Sequence, residues 1–340
     1  MSDYLFYSTL LIEPTNVCNL KCKMCEARCS AEKNIVPKFL NSKDLDLMLS
    51  KLSPYVTNIV FQGDCEPTMH PNLESLVSVS RKYIKHISIV TNGLLLNEKR
   101  IESLINQGVS WFAFSIDKYI KEDYEEIRIN SDFDKVVRNL ECLIKLREEK
   151  YPNIRIVVHK IVFNDETPDD LKNFIRYFYI NKGVDKITFA PLVEKGAVKY
   201  KDWIIKRNQI EIDFLKENLN VNLKDFANYP FKTLYRYCGA NCFFISHDGT
   251  FSPCGVHTRS KNVFGNLINE TIEDIVNKDI YKEFHEYWQK RKFQDHLPRI
   301  CDDCFILKTP YFLYSLDENY NNCKNIKVTI DNCDKKEDIF

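Results

Sequence analysis

Short apolar runs alternate with amphipathic segments from residue 8 to about residue 190 of the chain. Runs rich in β-branched and aromatic residues between turn residues predict strands. Segments with apolar residues three or four positions apart predict helices. The predicted strands are Thr9–Glu13, Asn58–Gln62, His86–Thr91, Trp111–Ser115, Ile154–Val162 and Lys186–Ala190. The predicted helices lie near residues 43–52, 71–83, 97–107, 132–149 and 168–181.

Six strand–helix units in succession predict an α/β fold with a parallel sheet and right-handed crossovers. They are too few to close an eight-stranded barrel, so we expect a partial (β/α)6 barrel. In such barrels the chemistry collects at the carboxyl ends of the strands.

The remainder of the chain predicts three further segments. We expect a linker with one helix near Ile204–Asn218, then a small cysteine-rich α+β domain, then a loosely packed tail rich in Asn and Asp. The predicted domain boundaries are 1–194, 195–235, 236–305 and 306–340.

Composition narrows the class of protein. The 48 basic residues balance the 48 acidic ones, so charge gives no case for nucleic acid or a membrane surface as a partner. The sequence has neither a run long enough to span a bilayer nor a secretion signal. Thirteen cysteines without such a signal indicate metal binding in a reducing compartment, so we expect a cytoplasmic protein.

Cys18, Cys22 and Cys25 form a C-x3-C-x2-C loop directly after the first predicted strand. Three thiolates can hold three irons of a cubane cluster and leave the fourth iron open, whereas closed clusters usually take four cysteines. A structural zinc site with Cys29 as fourth ligand is the alternative.

This loop resembles that of the radical S-adenosylmethionine (radical SAM) superfamily. The resemblance implies that the open iron of a [4Fe-4S] cluster binds SAM, and that an electron cleaves SAM to methionine and a 5'-deoxyadenosyl radical. It also implies a flavodoxin- or ferredoxin-type reductant, and a place near the adenine for Met24.

The segment after the second predicted strand resembles the Gly-x-Gly-Glu-Pro motif of that family, which binds the SAM amino group. The matching residues are Gly63, Asp64, Glu66 and Pro67. Cys65 stands where the family usually has its second glycine. It is either a tolerated small residue or a thiol that donates a hydrogen atom or acts as a sensor.

Further strand ends resemble other parts of the family's SAM site. Asn92, Ser115 and Asp117 match positions near the ribose and the methionine carboxylate. Phe189 matches a segment that flanks the adenine, although ordinary barrel packing explains it equally well.

Arg128 closes the segment Tyr124-Glu-Glu-Ile-Arg128, which is similar to the family's Tyr-x-x-Ile-Arg. The resemblance implies that Arg128 pairs with the SAM carboxylate. The alternative is a surface ion pair with Glu125 or Asp132.

A second cysteine group lies in residues 236–305, with a hairpin at Asp248-Gly249 and a predicted helix at Thr271–Tyr287. It resembles the SPASM/Twitch extension of radical SAM enzymes, in the short form with one auxiliary [4Fe-4S] cluster. A zinc ribbon is the alternative. The implied ligands are Cys238, Cys254, Cys301 and Cys304, with Cys242 as the alternative to Cys238. No role follows for Cys323 and Cys333, which lie too far apart for a longer SPASM module.

An auxiliary cluster near the substrate favours a two-electron oxidation. We therefore expect a radical SAM oxidoreductase acting on a small polar substrate such as a sugar, aminocyclitol or nucleoside. The first strand starts at about residue 8, so we expect no leader-peptide domain before it. A ribosomal peptide maturase or an epimerase is the alternative, and a non-catalytic iron–sulfur electron carrier is a more distant one.

Overall fold

The computed structural model of the chain describes residues 9–25, 35–163, 165–191, 231–233, 242–253 and 263–289. Internal contacts divide the chain into two compact units. The first contains residues 1–159 and 238–304, and the second contains residues 160–237 and 305–340. The predicted linker helix and the predicted tail lie outside the described residues, so the predicted domain boundaries stay predictions.

All six strands predicted from the apolar runs are present, with ends that differ by at most one residue. The strands are β1 Thr9–Ile12, β2 Lys21–Cys22, β3 Asn58–Phe61, β4 His86–Thr91, β5 Trp111–Ser115, β6 Arg128–Ile129, β7 Arg155–Val162, β8 Lys186–Pro191, β9 Phe231–Thr233, β10 Cys242–Ile245, β11 Thr250–Ser252 and β12 Gly265–Asn266.

The helices of the repeating units are also confirmed, and several of them begin at a polar cap. Asn41, Asn97 and Asp132 each accept the backbone N–H of the third residue of their helix, which satisfies a group that the helix itself leaves unpaired. The helices are α1 Ser42–Leu52, α2 Leu73–Arg81, α3 Glu98–Gln107, α4 Lys121–Ile127, α5 Phe133–Glu149, α6 Pro168–Ile175, α7 Ile272–Asn277 and α8 Asp279–Gln289, with 3-10 turns at Ser53–Tyr55 and Pro67–Met69 and a π-helical turn at Arg176–Asn181.

Two helical features differ from the prediction. Helix α4 was missed because its seven residues carry too few apolar positions to show a period. The predicted helix at Thr271–Tyr287 is two helices, because Lys278 adopts an extended backbone with φ −69° and ψ 142°. The ammonium of Lys278 binds the Glu270 carboxylate and the Phe264 carbonyl, which stabilises this break.

The first unit is built on one sheet. Strands β10, β1, β3, β4, β5 and β7 lie side by side in parallel, in that order. Strands β11 and β12 extend the β10 edge in antiparallel pairing. In the second unit β8 pairs in parallel with β9.

Strand β10 belongs to the second cysteine region, and its pairing with β1 was not predicted. It satisfies the edge of β1 over four residues, from Thr9 opposite Cys242 to Ile12 opposite Ile245. The hairpin from β10 to β11 is confirmed, and Gly249 takes the positive φ of +83° that its turn requires.

The two faces of the sheet differ. Ile12, Phe61, Ile89 and Phe112 lie side by side in register and are fully buried. Phe114 points to the same side as Phe112, and both Phe114 and Val136 of helix α5 lie beside Gly93, so this face packs against the helices. Side chains one residue further along each strand point to the opposite face of the sheet.

Candidate functional site

The cysteine loop lies between β1 and α1. Cys18 and Cys22 are half-buried and Cys25 is exposed. The backbone N–H of Leu20 donates to the Cys18 sulfur over 3.4 Å, and that of Cys25 donates to the Cys22 carbonyl over 3.0 Å. The loop is therefore folded around its own thiols.

Contacts hold this loop at the carboxyl edge of the sheet. The Glu66 N–H donates to the Val17 carbonyl over 3.1 Å, which joins the loop to the segment after β3. The Asn92 side chain donates to Asn19 Oδ1 over 2.9 Å, which joins it to the end of β4. The pairing of β2 with β6 places Cys22 opposite Arg128.

The three thiols of the loop suit a cubane cluster. Burial raises the pKa of Cys22 to about 11, while the Arg128 guanidinium opposes that shift. Within the described residues, no three His, Cys, Asp or Glu side chains converge where one metal ion could sit. A cubane cluster is larger, and each of its thiolates binds a different iron. Three cysteines on one folded loop, with a guanidinium beside them, suit such a group. Cys29, the candidate fourth zinc ligand, lies outside the described residues.

The Glu66 carboxylate is buried, and both of its oxygens accept hydrogen bonds within the protein. Its Oε1 accepts from the Thr68 N–H over 3.0 Å, from the Thr68 hydroxyl over 2.5 Å and from the Thr91 hydroxyl over 2.6 Å. Its Oε2 accepts from the Asn92 N–H over 2.8 Å. Glu66 therefore fixes the ends of β3 and β4 relative to each other, a role that the motif did not indicate.

Glu13 is a site residue that the sequence analysis missed. It follows β1 on the face away from the helices, is 6% exposed, and its Oε1 accepts the Asp64 N–H over 2.8 Å. A Cβ on Gly63 would lie 2.6 Å from Glu13 Cγ, so Gly63 is required by this contact. The available signal was a carboxylate that ends an apolar strand directly before Pro14.

Arg128 corrects one alternative from the sequence. The surface ion pair with Glu125 or Asp132 is wrong, because Arg128 is buried and binds Asp117 instead. Its Nη2 and Nε lie 2.6 Å and 2.7 Å from Asp117 Oδ2. Glu125 accepts the Phe133 N–H.

This buried pair lies beside the cysteine loop. The Arg128 Nη1 atom is 4.0 Å from the Cys22 sulfur. Burial acts to lower the pKa of Arg128, but the charge of Asp117 outweighs it and raises that pKa above its ordinary value. The guanidinium is therefore a permanent positive charge next to a predicted cluster ligand.

The remaining predicted SAM residues of the first unit lie at or near the same edge. Ser115 ends β5 and is half-buried, as are Met24 in the cysteine loop and Cys65 after β3. Pro67 is buried and opens the 3-10 turn that follows Glu66. In the second unit, Phe189 on β8 is 2% exposed. Its place beside the adenine stays a prediction.

The second cysteine group is described only in part. Cys242 is half-buried and begins β10 opposite Thr9, at the amino edge of the sheet. The other predicted ligands and the two distal cysteines lie outside the described residues, so their roles stay predictions. These cysteines are Cys238, Cys254, Cys301, Cys304, Cys323 and Cys333.

Two protein-family models match the chain. Residues 12–178 match the radical SAM superfamily, and residues 237–305 match SPASM, an iron–sulfur cluster-binding domain. The first match contains the C-x3-C-x2-C loop and the Gly63–Pro67 segment, and the second contains the later cysteine group.

No helix among the described residues has the length and apolar character to cross a membrane.

Similar proteins include a tungsten-containing aldehyde ferredoxin oxidoreductase cofactor-modifying protein of Pyrococcus furiosus, 25% identical over 91% of this chain and 90% of the relative. A 7,8-dihydro-6-hydroxymethylpterin dimethyltransferase of Methanocaldococcus jannaschii is 24% identical over 78% of this chain and 56% of the relative. The solved structure of anSMEcpe with bound AdoMet superposes with a TM-score of 0.65 at 22% identity, covering 94% of this chain and 99% of that one, and shows a shared fold.

Proposed function

We propose that this chain, which belongs to the radical SAM superfamily and carries a SPASM domain, oxidises a small polar substrate. The family establishes a SAM-binding [4Fe-4S] enzyme with auxiliary iron–sulfur chemistry. The substrate class and the oxidation are the proposal.

One observation carries the assignment of the SAM site: direct hydrogen bonds join the two residues that flank Cys18 to two of the predicted SAM-binding residues. The Glu66 N–H donates to the Val17 carbonyl, and the Asn92 side chain donates to Asn19 Oδ1, which supports one shared site at the carboxyl edge of the sheet. When bound there, the cluster and SAM supply a 5'-deoxyadenosyl radical that removes a hydrogen atom from the substrate. The protein's own residues position these groups and provide the charge around them.

The proposed ligands divide into two sets. Cys18, Cys22 and Cys25 hold the first cluster, and Cys238, Cys254, Cys301 and Cys304 hold a single auxiliary cluster. The proposed SAM-contacting residues are Met24, Gly63, Asp64, Glu66, Pro67, Asn92, Ser115, Asp117, Arg128 and Phe189. Because Asp117 and Arg128 bind each other, we propose that they meet SAM as a pair whose orientation is already set.

One argument supports an oxidation, and a second supports a small molecule as the substrate. The four predicted ligands of the auxiliary cluster would hold a group that could take up the second electron when an alcohol loses two electrons, whereas a redox-neutral isomerisation needs no such acceptor. The names of the two relatives refer to a cofactor and to a dihydropterin, and both are small molecules. A sugar, aminocyclitol or nucleoside is the proposed substrate class, with a flavodoxin- or ferredoxin-type protein as the reductant.

The first test is SAM cleavage. Anaerobically reconstituted protein should hold about eight irons, the content of two cubane clusters, and should form 5'-deoxyadenosine with dithionite, measured by liquid chromatography and mass spectrometry. The Cys18/Cys22/Cys25→Ala variant should keep about half the iron and form no 5'-deoxyadenosine. SAM cleavage by that variant would refute the assignment of the catalytic cluster.

The second test separates substrate classes. Metabolites extracted from source cells grown in D2O are fractionated by size and added to the reaction, with and without peptidase treatment. Deuterium should enter 5'-deoxyadenosine from the small-molecule fraction and survive the peptidase. Transfer only from peptidase-sensitive material would replace the proposal with peptide maturation. SAM cleavage without deuterium transfer from any fraction would contradict both substrate classes.

A further inference from the structure

The turn between β10 and β11 brings a histidine to the SAM-binding edge of the sheet. His247 Nδ1 lies 3.7 Å from Glu13 Oε2, and the His247 side chain is 15% exposed. The Nδ1 atom itself is buried and has no hydrogen-bond partner in the structure. A buried ring nitrogen facing a carboxylate gains an ion-pair partner when the ring is protonated.

The other oxygen of Glu13 reaches the predicted SAM segment. Glu13 Oε1 accepts the Asp64 N–H over 2.8 Å, and the Glu13 side chain packs against the Cα of Gly63. One carboxylate therefore contacts both the hairpin of the SPASM region and the backbone of the Gly63–Pro67 segment.

The neighbouring titratable groups on the described elements are Glu13 on β1, Asp64 in the facing segment, and Asp248 in the same turn as His247. Burial acts to raise the pKa of Asp248, but hydrogen bonds from Ser246 and Thr250, with the charge of His247, lower it. Asp248 Oδ1 accepts from the Thr250 N–H over 3.0 Å and from the Ser246 hydroxyl over 2.5 Å. Asp248 thus shapes the turn, while His247 faces Glu13.

We propose that His247 is a positioning residue for SAM, acting through Glu13. The His247 ring holds the Glu13 carboxylate, and Glu13 holds the Asp64 N–H, so the hairpin of the SPASM region sets the shape of the segment that binds the SAM amino group. The inference rests on the proposed SAM site and adds a coupling between the two matched regions of the chain. It predicts that SAM affinity depends on the contact between His247 and Glu13.

Losing the contact between His247 and Glu13 should weaken SAM binding about fivefold, which corresponds to about 1 kcal/mol, the upper range for a charged pair that keeps some exposure.

The experiment measures SAM dissociation constants of the reconstituted holoprotein by anaerobic equilibrium dialysis at one fixed pH. His247→Gln should bind SAM about fivefold more weakly than wild type, by the same magnitude. Glu13→Gln tests the same link from its other side. In the double variant, His247→Gln should add nothing to the effect of Glu13→Gln. His86→Gln, at the exposed amino end of β4, is the matched control and should bind as wild type does.

Iron content and far-ultraviolet circular dichroism identify variants that fold and carry both clusters. Wild-type affinity in folded His247→Gln would overturn the inference, as would additive losses in the double variant. If the wild-type holoprotein itself fails to bind SAM, the proposed function falls and the inference falls with it.

Discussion

Removing the negative charge of Asp117 should destabilise the protein strongly. Asp117 is fully buried, and the Arg128 side chain is 8% exposed, so Asp117→Asn would leave a guanidinium inside the protein without its counter-ion. Two contacts of 2.6 Å and 2.7 Å to one carboxylate oxygen would lose their ionic character. Breaking a buried pair from one side costs about 3–5 kcal/mol. That is a large part of the 5–15 kcal/mol by which domains are ordinarily stable.

The assay is urea unfolding of the anaerobic protein, followed by both tryptophan fluorescence and circular dichroism. Only transitions that coincide between the two probes give a free energy of unfolding. Asp134→Asn is the matched control, because Asp134 binds Lys121 where both side chains are about half exposed. The control should unfold at the wild-type urea concentration, since exposed pairs contribute little.

A double variant separates charge from shape. Replacing the pair with Asp117→Leu and Arg128→Met removes both charges and keeps an apolar volume, and should bring the free energy of unfolding back to within about 1–2 kcal/mol of wild type. Wild-type stability in Asp117→Asn would refute the reasoning. So would a double variant as unstable as the single one.

Three further predictions concern the turn, the motif cysteine and the buried glutamate. Gly249→Ala should lower the free energy of unfolding by about 1–2 kcal/mol, because Gly249 has φ +83° and a Cβ there would lie 2.6 Å from Ile268; urea unfolding measures this, and an unchanged midpoint would contradict it. Cys65→Gly should keep SAM cleavage and should not lower the amount of deuterium that the product takes up in D2O, because Cys65 is a tolerated small residue. Deuterium that enters the wild-type product but disappears in Cys65→Ala would contradict this and would identify Cys65 as a hydrogen donor. Glu66→Gln should weaken SAM binding and lower the temperature of unfolding, because the new amide NH2 would face donors from Thr68, Thr91 or Asn92. Wild-type values for SAM dialysis and for thermal unfolding would show that Glu66 does not hold the ends of β3 and β4 together.

The sequence by itself determined the repeating α/β units and the family. Apolar runs such as His86–Thr91 and Trp111–Ser115 matched strands to the residue, because the burial of a parallel sheet is recorded locally in side-chain type. The spacing of Cys18, Cys22 and Cys25 carried the cluster chemistry, since one short loop contains all three ligands.

Only the tertiary structure decided which distant residues meet. Neither the pairing of β10 with β1, nor the burial of Arg128 against Asp117, leaves a local trace in the sequence. The same holds for the contact between Glu13 and His247, which lie more than two hundred positions apart. Strand order and side-chain pairing at the edge of a sheet depend on how the chain crosses over, and a hydrophobic period records burial but not the identity of the partner.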